Sequence, residues 1–138
     1  MKRYEQIEHT ADIGVKVYGK DLKGLFGNAA FAMFDILADL EGLKGSITLS
    51  FDLKADSPEE LLQSWLDELL YNFYTKWIIF SEFKIERVSR DHIKAKAMGR
   101  HIGDNKNRLK TEIKAITYHD MKIQKTKSGY ETTIIFDI

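Results

Sequence analysis

The sequence predicts an α+β fold, a mainly antiparallel sheet covered by two long helices, and three observations carry that expectation. Leu22 to Leu37 and Leu61 to Phe73 repeat apolar residues at three- and four-residue spacing. Several other segments alternate apolar and polar residues with a period of two. These strand-like segments adjoin in sequence through short turns, which favours antiparallel pairing with the helices on one face.

Arg3 to Glu8 and Ile13 to Tyr18 read as two strands flanking a short polar connection. In the second, Ile13, Val15 and Val17 alternate with Gly14, Lys16 and Tyr18, as a strand with one buried face requires. Asp21 offers an N-cap to the first helix, whose stripe runs through Leu22, Leu25, Phe26, Ala29, Ala30, Met33, Phe34 and Leu37. Ile47, Leu49, Phe51 and Leu53 form a third strand. Ser57 can cap the second helix, Pro58 suits its first position, and Glu60 completes a capping box. Its aromatic and aliphatic stripe reads as core. Further strands are expected near Phe80 to Val88, His92 to Met98, Ile113 to Lys125 and Tyr130 to Asp137, with a turn at Ser128-Gly129. Gly99 to Thr111 is polar and basic and reads as an exposed loop.

The 138 residues hold one proline, nine glycines and no internal repeat, so the expectation is a single domain over 1–138. No cysteine is present, which excludes disulfides, thiolate zinc sites, iron–sulfur clusters and cysteine nucleophiles. Met1 to Gln6 runs into polar sequence without an apolar signal region, and no stretch approaches a membrane span. A cytoplasmic protein without membrane partners is expected. The net charge of zero is unevenly spread. Between Lys84 and Lys127 there are 13 Lys/Arg against 5 Asp/Glu, and the rest of the chain balances that surplus with acid. One alternative function is therefore an RNA-binding module acting through the basic 84–127 region, although it carries no aromatic RNP strand and no GXXG clamp.

Recognisable catalytic sets are absent: no GxSxG elbow, no GxxxxGK[ST] phosphate loop and no HExxH helix. His9, His92, His101 and His119 are scattered. Two places remain unusual. His9-Thr10-Ala11-Asp12 is a polar cluster between two expected strands, and Asp137 sits beside the α-carboxylate of Ile138 at the end of a β-branched strand. If the final strand lies beside the first hairpin, Asp12, Asp137 and Ile138 converge. At about 4 Å and an effective dielectric near 20, a like-charged pair costs on the order of 4 kcal/mol. Such a group must take up a proton or bind a cation, and oxygen ligands favour Ca²⁺ or Mg²⁺, with Mn²⁺ also suitable.

His9-Thr10-Ala11-Asp12-Ile13-Gly14, Trp65-Leu66-Asp67-Glu68-Leu69-Leu70, Glu112-Ile113-Lys114-Ala115-Ile116-Thr117-Tyr118-His119 and the closing Phe136-Asp137-Ile138 together resemble the archease family, in order and spacing across nearly the whole chain. The resemblance implies an accessory protein that makes no bond of its own. Archeases stimulate the RtcB-type RNA ligase of tRNA splicing and RNA repair, promoting formation of the ligase's guanylate from GTP and so its multiple turnover on RNA ends. The family's divalent-cation site maps onto Asp12, Asp137 and Ile138. By the same analogy Lys114 meets phosphate or an acidic ligase residue, Glu112 orients it, and His9 positions the Asp12 loop. The sequence departs from the family pattern at Asp67, where asparagine is common. It departs also at Arg100, where an acidic residue is expected, and at Lys106-Asn107, where an Arg-His pair is frequent.

Overall fold

A computed structural model describes residues 2–7, 12–118 and 121–138, with only the main chain of residue 104. Among the described residues, eight strands and two α-helices form an α+β fold, the class expected. The strands divide into two antiparallel sheets rather than one. The first contains β1 (Tyr4–Ile7), β2 (Asp12–Gly19), β8 (Gly129–Asp137) and β6 (Ala115–Thr117) in that order, with β7 (Gln124–Thr126) also paired to β8. The second has the order β3 (Ile47–Lys54), β5 (His92–His101), β4 (Ile78–Val88).

The helices α1 (Leu22–Leu37) and α2 (Pro58–Lys76) lie between the sheets, α1 against β2 and β4, α2 against β3, β4, β5 and β6. Each sheet therefore buries one face and leaves the other to solvent. Both helix starts follow from their caps. Asp21 Oδ1 accepts from Gly24 N at 2.8 Å, and Ser57 Oγ accepts from Glu60 N at 3.1 Å. Glu60 reaches back to the amide of Asp56 at 3.3 Å, one residue before the expected partner. Trp77 ends α2 in the left-handed conformation at φ 56°, and its carbonyl accepts from Ile102 N at 2.7 Å.

The core is continuous across the layers. Phe34 of α1 meets Phe80 of β4 edge-on with ring centroids 5.4 Å apart, and Trp65 of α2 meets Phe51 of β3 at the same distance. Trp65 Nε1 donates to Phe26 O at 3.0 Å, so the largest buried side chain also joins the two helices.

Two expectations are corrected. The strand expected over Ile113 to Lys125 is split into β6 and β7, which pair with opposite ends of β8. Residues 121–123 lie outside the sheet: Met121 is buried, Ile123 packs on the core, and Ile123 N donates to Glu59 Oε2 at 3.0 Å. Thr132 Oγ1 donates to Lys122 O at 2.8 Å, helping to hold the excursion to β8. Gly129 follows the Lys127-Ser128 turn at φ 149°, where an added Cβ would lie 2.1 Å from Gly19 O.

The second correction concerns Gly99 to Thr111. This segment continues β5 to His101, buries Ile102 and forms a 3-10 helix over Gly103–Arg108. It then bridges Leu109 to Ala38 at the end of α1. Arg108 Nη1 donates to Asp39 O at 3.1 Å and Glu41 O at 2.6 Å, so a basic side chain satisfies carbonyls just beyond the helix. Among the described residues no helix is long and apolar enough to cross a membrane.

Candidate functional site

The register of β2 against β8 decides what the sequence could only suppose. Ile13 pairs with Phe136 and Val15 with Ile134, and Val15, Val17, Ile134 and Phe136 are fully buried against the helices. Alternation then turns Asp12, Gly14 and Lys16 of β2, and Asp137, Ile135 and Thr133 of β8, to the outer face. Asp12 and Asp137 are direct cross-strand partners in the last rung of this pairing. Side chains so placed have Cβ atoms about 4.5–5.5 Å apart, and like charges there oppose one another.

β8 is a central strand, so Asp137 has a second neighbour. Ala115 of β6 opposes it on the other side, and Lys114 N donates to Asp137 O at 2.7 Å. That bond brings Lys114 to the acidic end through its main chain, with the side chain exposed. Ile138 follows at 39% exposure. Gly14 forms the floor next to Asp12: an added Cβ would lie 2.8 Å from Ile7 Cγ1 and 3.4 Å from Ile135 Cδ1. Isoleucine side chains therefore close the space beside the acidic rung.

Glu112 belongs to the same segment but faces Tyr74 of α2. Tyr74 donates from its hydroxyl to Ile113 O at 2.5 Å. Its pKa is raised, first by burial and then by the negative charge of Glu112. The helix thus pins the main chain that carries Lys114. His9 lies outside the described residues.

Farther along the face the charges are matched. Lys16 Nζ lies 3.5 Å from Glu131 Oε2, and Tyr18 donates to Glu5 Oε1 at 2.5 Å. That bond to a carboxylate pushes the Tyr18 phenol up to about 12.

Two family departures have structural partners. Asp67 Oδ1 accepts from the Tyr118 hydroxyl at 2.7 Å, and burial followed by this hydrogen bond drives the phenol far above its ordinary value. Arg100 Nε donates to Lys44 O at 2.7 Å. Tyr74, Tyr118 and Ala115 were not singled out from the sequence as part of the site's frame. Tyr74 interrupts the polar side of the last turn of α2, and Tyr118 stands inside the most distinctive motif, so both left a signal.

The described residues group two carboxylates and main-chain oxygen at this end, and among them no set of three His, Asp or Glu side chains gathers here or elsewhere. Oxygen donors without nitrogen or sulfur suit a hard divalent cation, with water filling the remaining positions.

Fold and site together define a class: an α+β protein of two antiparallel sheets around a helix pair, presenting an acidic rung at the end of the larger sheet. The Archease protein family (MTH1598/TM1083) matches residues 4–138. Protein archease from Methanosarcina barkeri is 38% identical over 141 residues, spanning 99% of this chain and 97% of its own length. Protein archease from Pyrococcus furiosus is 36% identical over 132 residues, spanning 94% of this chain and 93% of its own. The solution structure of Methanobacterium thermoautotrophicum protein 1598 superposes with a TM-score of 0.83 at 33% identity, covering 100% of both chains. The crystal structure of an archease, described as a possible chaperone, from Thermotoga maritima shares the fold with a TM-score of 0.64 at 23% identity, over 97% and 96% of the two chains. This chain belongs to the archease family.

Proposed function

We propose that this protein is an accessory factor of an RtcB-type RNA ligase, acting through a divalent cation held at the Asp12–Asp137 end of the larger sheet. The reading rests on family membership, and the observation that carries it is the cross-strand pairing of Asp12 with Asp137. Asp12 and Asp137 would provide carboxylate oxygen, and Ile138 would provide main-chain or terminal oxygen. Ca²⁺, Mg²⁺ and Mn²⁺ all accept such ligands. The bound ion supplies positive charge against phosphate oxygens.

The chain's own contribution is placement. β8 is paired on both sides, so Asp137 sits on a rigid element, and the Lys114 amide fixes its carbonyl. Exposed Lys114 stands beside the acid pair, ready to meet a triphosphate or an acidic ligase side chain. By analogy with the family, His9, outside the described residues, is assigned to positioning Asp12. In the ligase, a histidine nitrogen attacks the α-phosphorus of GTP and pyrophosphate leaves. Reactions of this kind depend on positioning and on neutralising oxygen charge, which a protein without its own nucleophile can deliver. The natural setting is the joining of tRNA and other RNA ends in the cytoplasm, with no enzymatic bond-making by this chain.

The test is multiple-turnover RNA joining by the cognate ligase with GTP, with and without this protein. Stimulation by the native chain is expected, with loss in Asp12→Ala and in Asp137→Ala. If both folded variants stimulate as the native protein does, the acidic end has no part in the activity. If the native chain gives no stimulation of an active ligase, the accessory role itself falls.

A further inference from the structure

The outer face of the three-stranded sheet carries a second arrangement of like charges, opposite in sign. Ile93, Ala95 and Ala97 of β5 are fully buried, so His92, Lys94, Lys96, Met98 and Arg100 point away from the helices. Register then stacks cations on cations: Lys96 opposes Lys84 of β4, and Lys94 opposes Arg87. Two irregularities in β4, between Phe80 and Glu82 and between Ile85 and Arg87, produce this alignment. Each inserts one residue, which keeps Phe83 and Ile85 on the core side and Lys84 and Arg87 outside.

Neighbouring acid leaves most of this charge unmatched. Asp52 of β3 is the cross-strand partner of Lys94, and its Oδ1 lies 2.6 Å from His92 Nε2, so one carboxylate serves both. Glu82 is exposed and opposes Met98. Among the described residues, no ion pair engages Lys84, Arg87, Lys94 or Lys96. At the β4 edge Lys84 also lines an open cleft of about 730 Å³ with Arg3, Lys23 and Glu82, and the Phe31 ring in it lies under the Arg3 guanidinium, 4.2 Å from the centroid. Cations directly opposite in adjacent strands weaken a sheet unless anions lie over them.

We propose that this face binds the phosphodiester backbone of a nucleic-acid duplex, with Lys84, Arg87, Lys94 and Lys96 each meeting a phosphate. Neighbouring strands set the cations about 5 Å apart, and alternate residues set them about 7 Å apart, a flat grid suited to a row of phosphates. The chemistry of the face distinguishes nucleic acid from an acidic protein. Protein interfaces have apolar or aromatic centres and are depleted in lysine, whereas nucleic-acid interfaces are polar and strongly positive. Met98 is the one large apolar side chain reached by solvent at the outward positions of these three strands, since Ile79, opposite Arg100, is fully buried. The absence of aromatic side chains from the outward set leaves nothing for unpaired bases to stack on, which favours a duplex over a single strand. Binding is therefore expected to ignore base sequence. This inference stands apart from the ligase reading, since it involves the opposite sheet and no cation.

The test is fluorescence anisotropy of a labelled 20-base-pair RNA duplex against the full chain from about 50 to 300 mM salt. Four phosphate contacts give a slope of about −3.6 in the logarithm of affinity against that of salt. An equal-length DNA duplex should bind within a fewfold. In Lys84→Gln/Lys96→Gln the slope should fall to about −1.8, with affinity at low salt down at least tenfold. Lys76→Gln/Lys125→Gln removes the same charge elsewhere and should bind as the native protein does. The proposal is overturned by no binding at 50 mM salt with 100 µM protein, or by equal losses in the two double variants. Binding of polyglutamate as tight as that of RNA would also overturn it, assigning the face to an acidic protein.

Discussion

The outer faces of the two sheets use one backbone device with opposite charge. At the end of the larger sheet, β2 and β8 set Asp12 against Asp137. On the smaller sheet, β4 and β5 set Lys84 against Lys96 and Arg87 against Lys94. The faces differ in extent. The acidic rung is a single point, bordered by Ile7 and Ile135 and by the matched Lys16–Glu131 pair. The cationic rungs extend along two strands with little acid to match them. A point charge with oxygen donors suits one small ion, and a grid suits a polymer. Net charge, which is zero for the whole chain, conceals both.

The helix layer between the faces is the place to break them together. Phe34→Ala removes a fully buried ring that meets Phe73, Phe80 and Phe83, and should cost about 3–5 kcal/mol in denaturant unfolding. Cation binding and nucleic-acid binding should fail in the same transition, because both sheets rest on that layer.

Next in size is the cation itself. Ca²⁺ at a hundred times its dissociation constant should stabilise the native chain by about 2.7 kcal/mol, read as a rise in melting temperature. Asp137→Asn should abolish the rise while leaving salt-dependent RNA binding intact. An undiminished rise in that variant would remove Asp137 from the ligand set.

Tyr118→Phe tests the frame around β6. It removes the hydroxyl shared between the exposed Asp67 carboxylate and the Gln63 carbonyl, and a loss of about 1 kcal/mol is expected by thermal unfolding.

Smaller effects separate function from stability. Lys96→Glu replaces a repulsive rung by an attractive one and should stabilise the protein by about 0.2–1 kcal/mol at low salt, while weakening nucleic-acid binding. A variant that lost both would show that the rung serves folding.

The faces should also answer to opposite ends of the pH scale. Tyr18 is pushed up to about 12 by its bond to Glu5, so the native state holds the proton more tightly than the unfolded chain. The stability it contributes is present below its ordinary value of 10.0 and is lost as pH rises through about 12. Asp52 is held below its ordinary value of 3.8, first by its hydrogen bond with His92, so its contribution is present above that value and is lost as pH falls through the lowered one. Melting curves of Tyr18→Phe and Asp52→Asn should converge on the native curve at the alkaline and acid extremes respectively.

Local rules made much of the frame legible. Asp21, Ser57 and Pro58 marked both helix starts, and the apolar stripes named the residues that are now buried. The acid pair was posed as a condition on strand order, because pairing between residues 12 and 137 is a property of the folded sheet and leaves no local trace. Residues 113–125 were misread for a related reason. Their alternation is imperfect, and the structure resolves it by sending Met121 and Ile123 to the core between two short strands. The tied 99–111 segment was equally hidden, since its main-chain bonds to Leu37 and Asp39 depend on where α1 ends. The cationic surplus was visible as composition, but its division into rungs depends on two inserted residues in β4.

β8 occupies the middle of its sheet although it is the last strand in the chain. A growing polypeptide therefore displays β1 and β2 with a raw edge until residues 129–137 have been made. Only when residue 137 is free to pair does the acidic rung come into being. The chemistry at that end therefore waits on residue 137: a chain cut before it carries the helices and the cationic face, but it has no second carboxylate to offer.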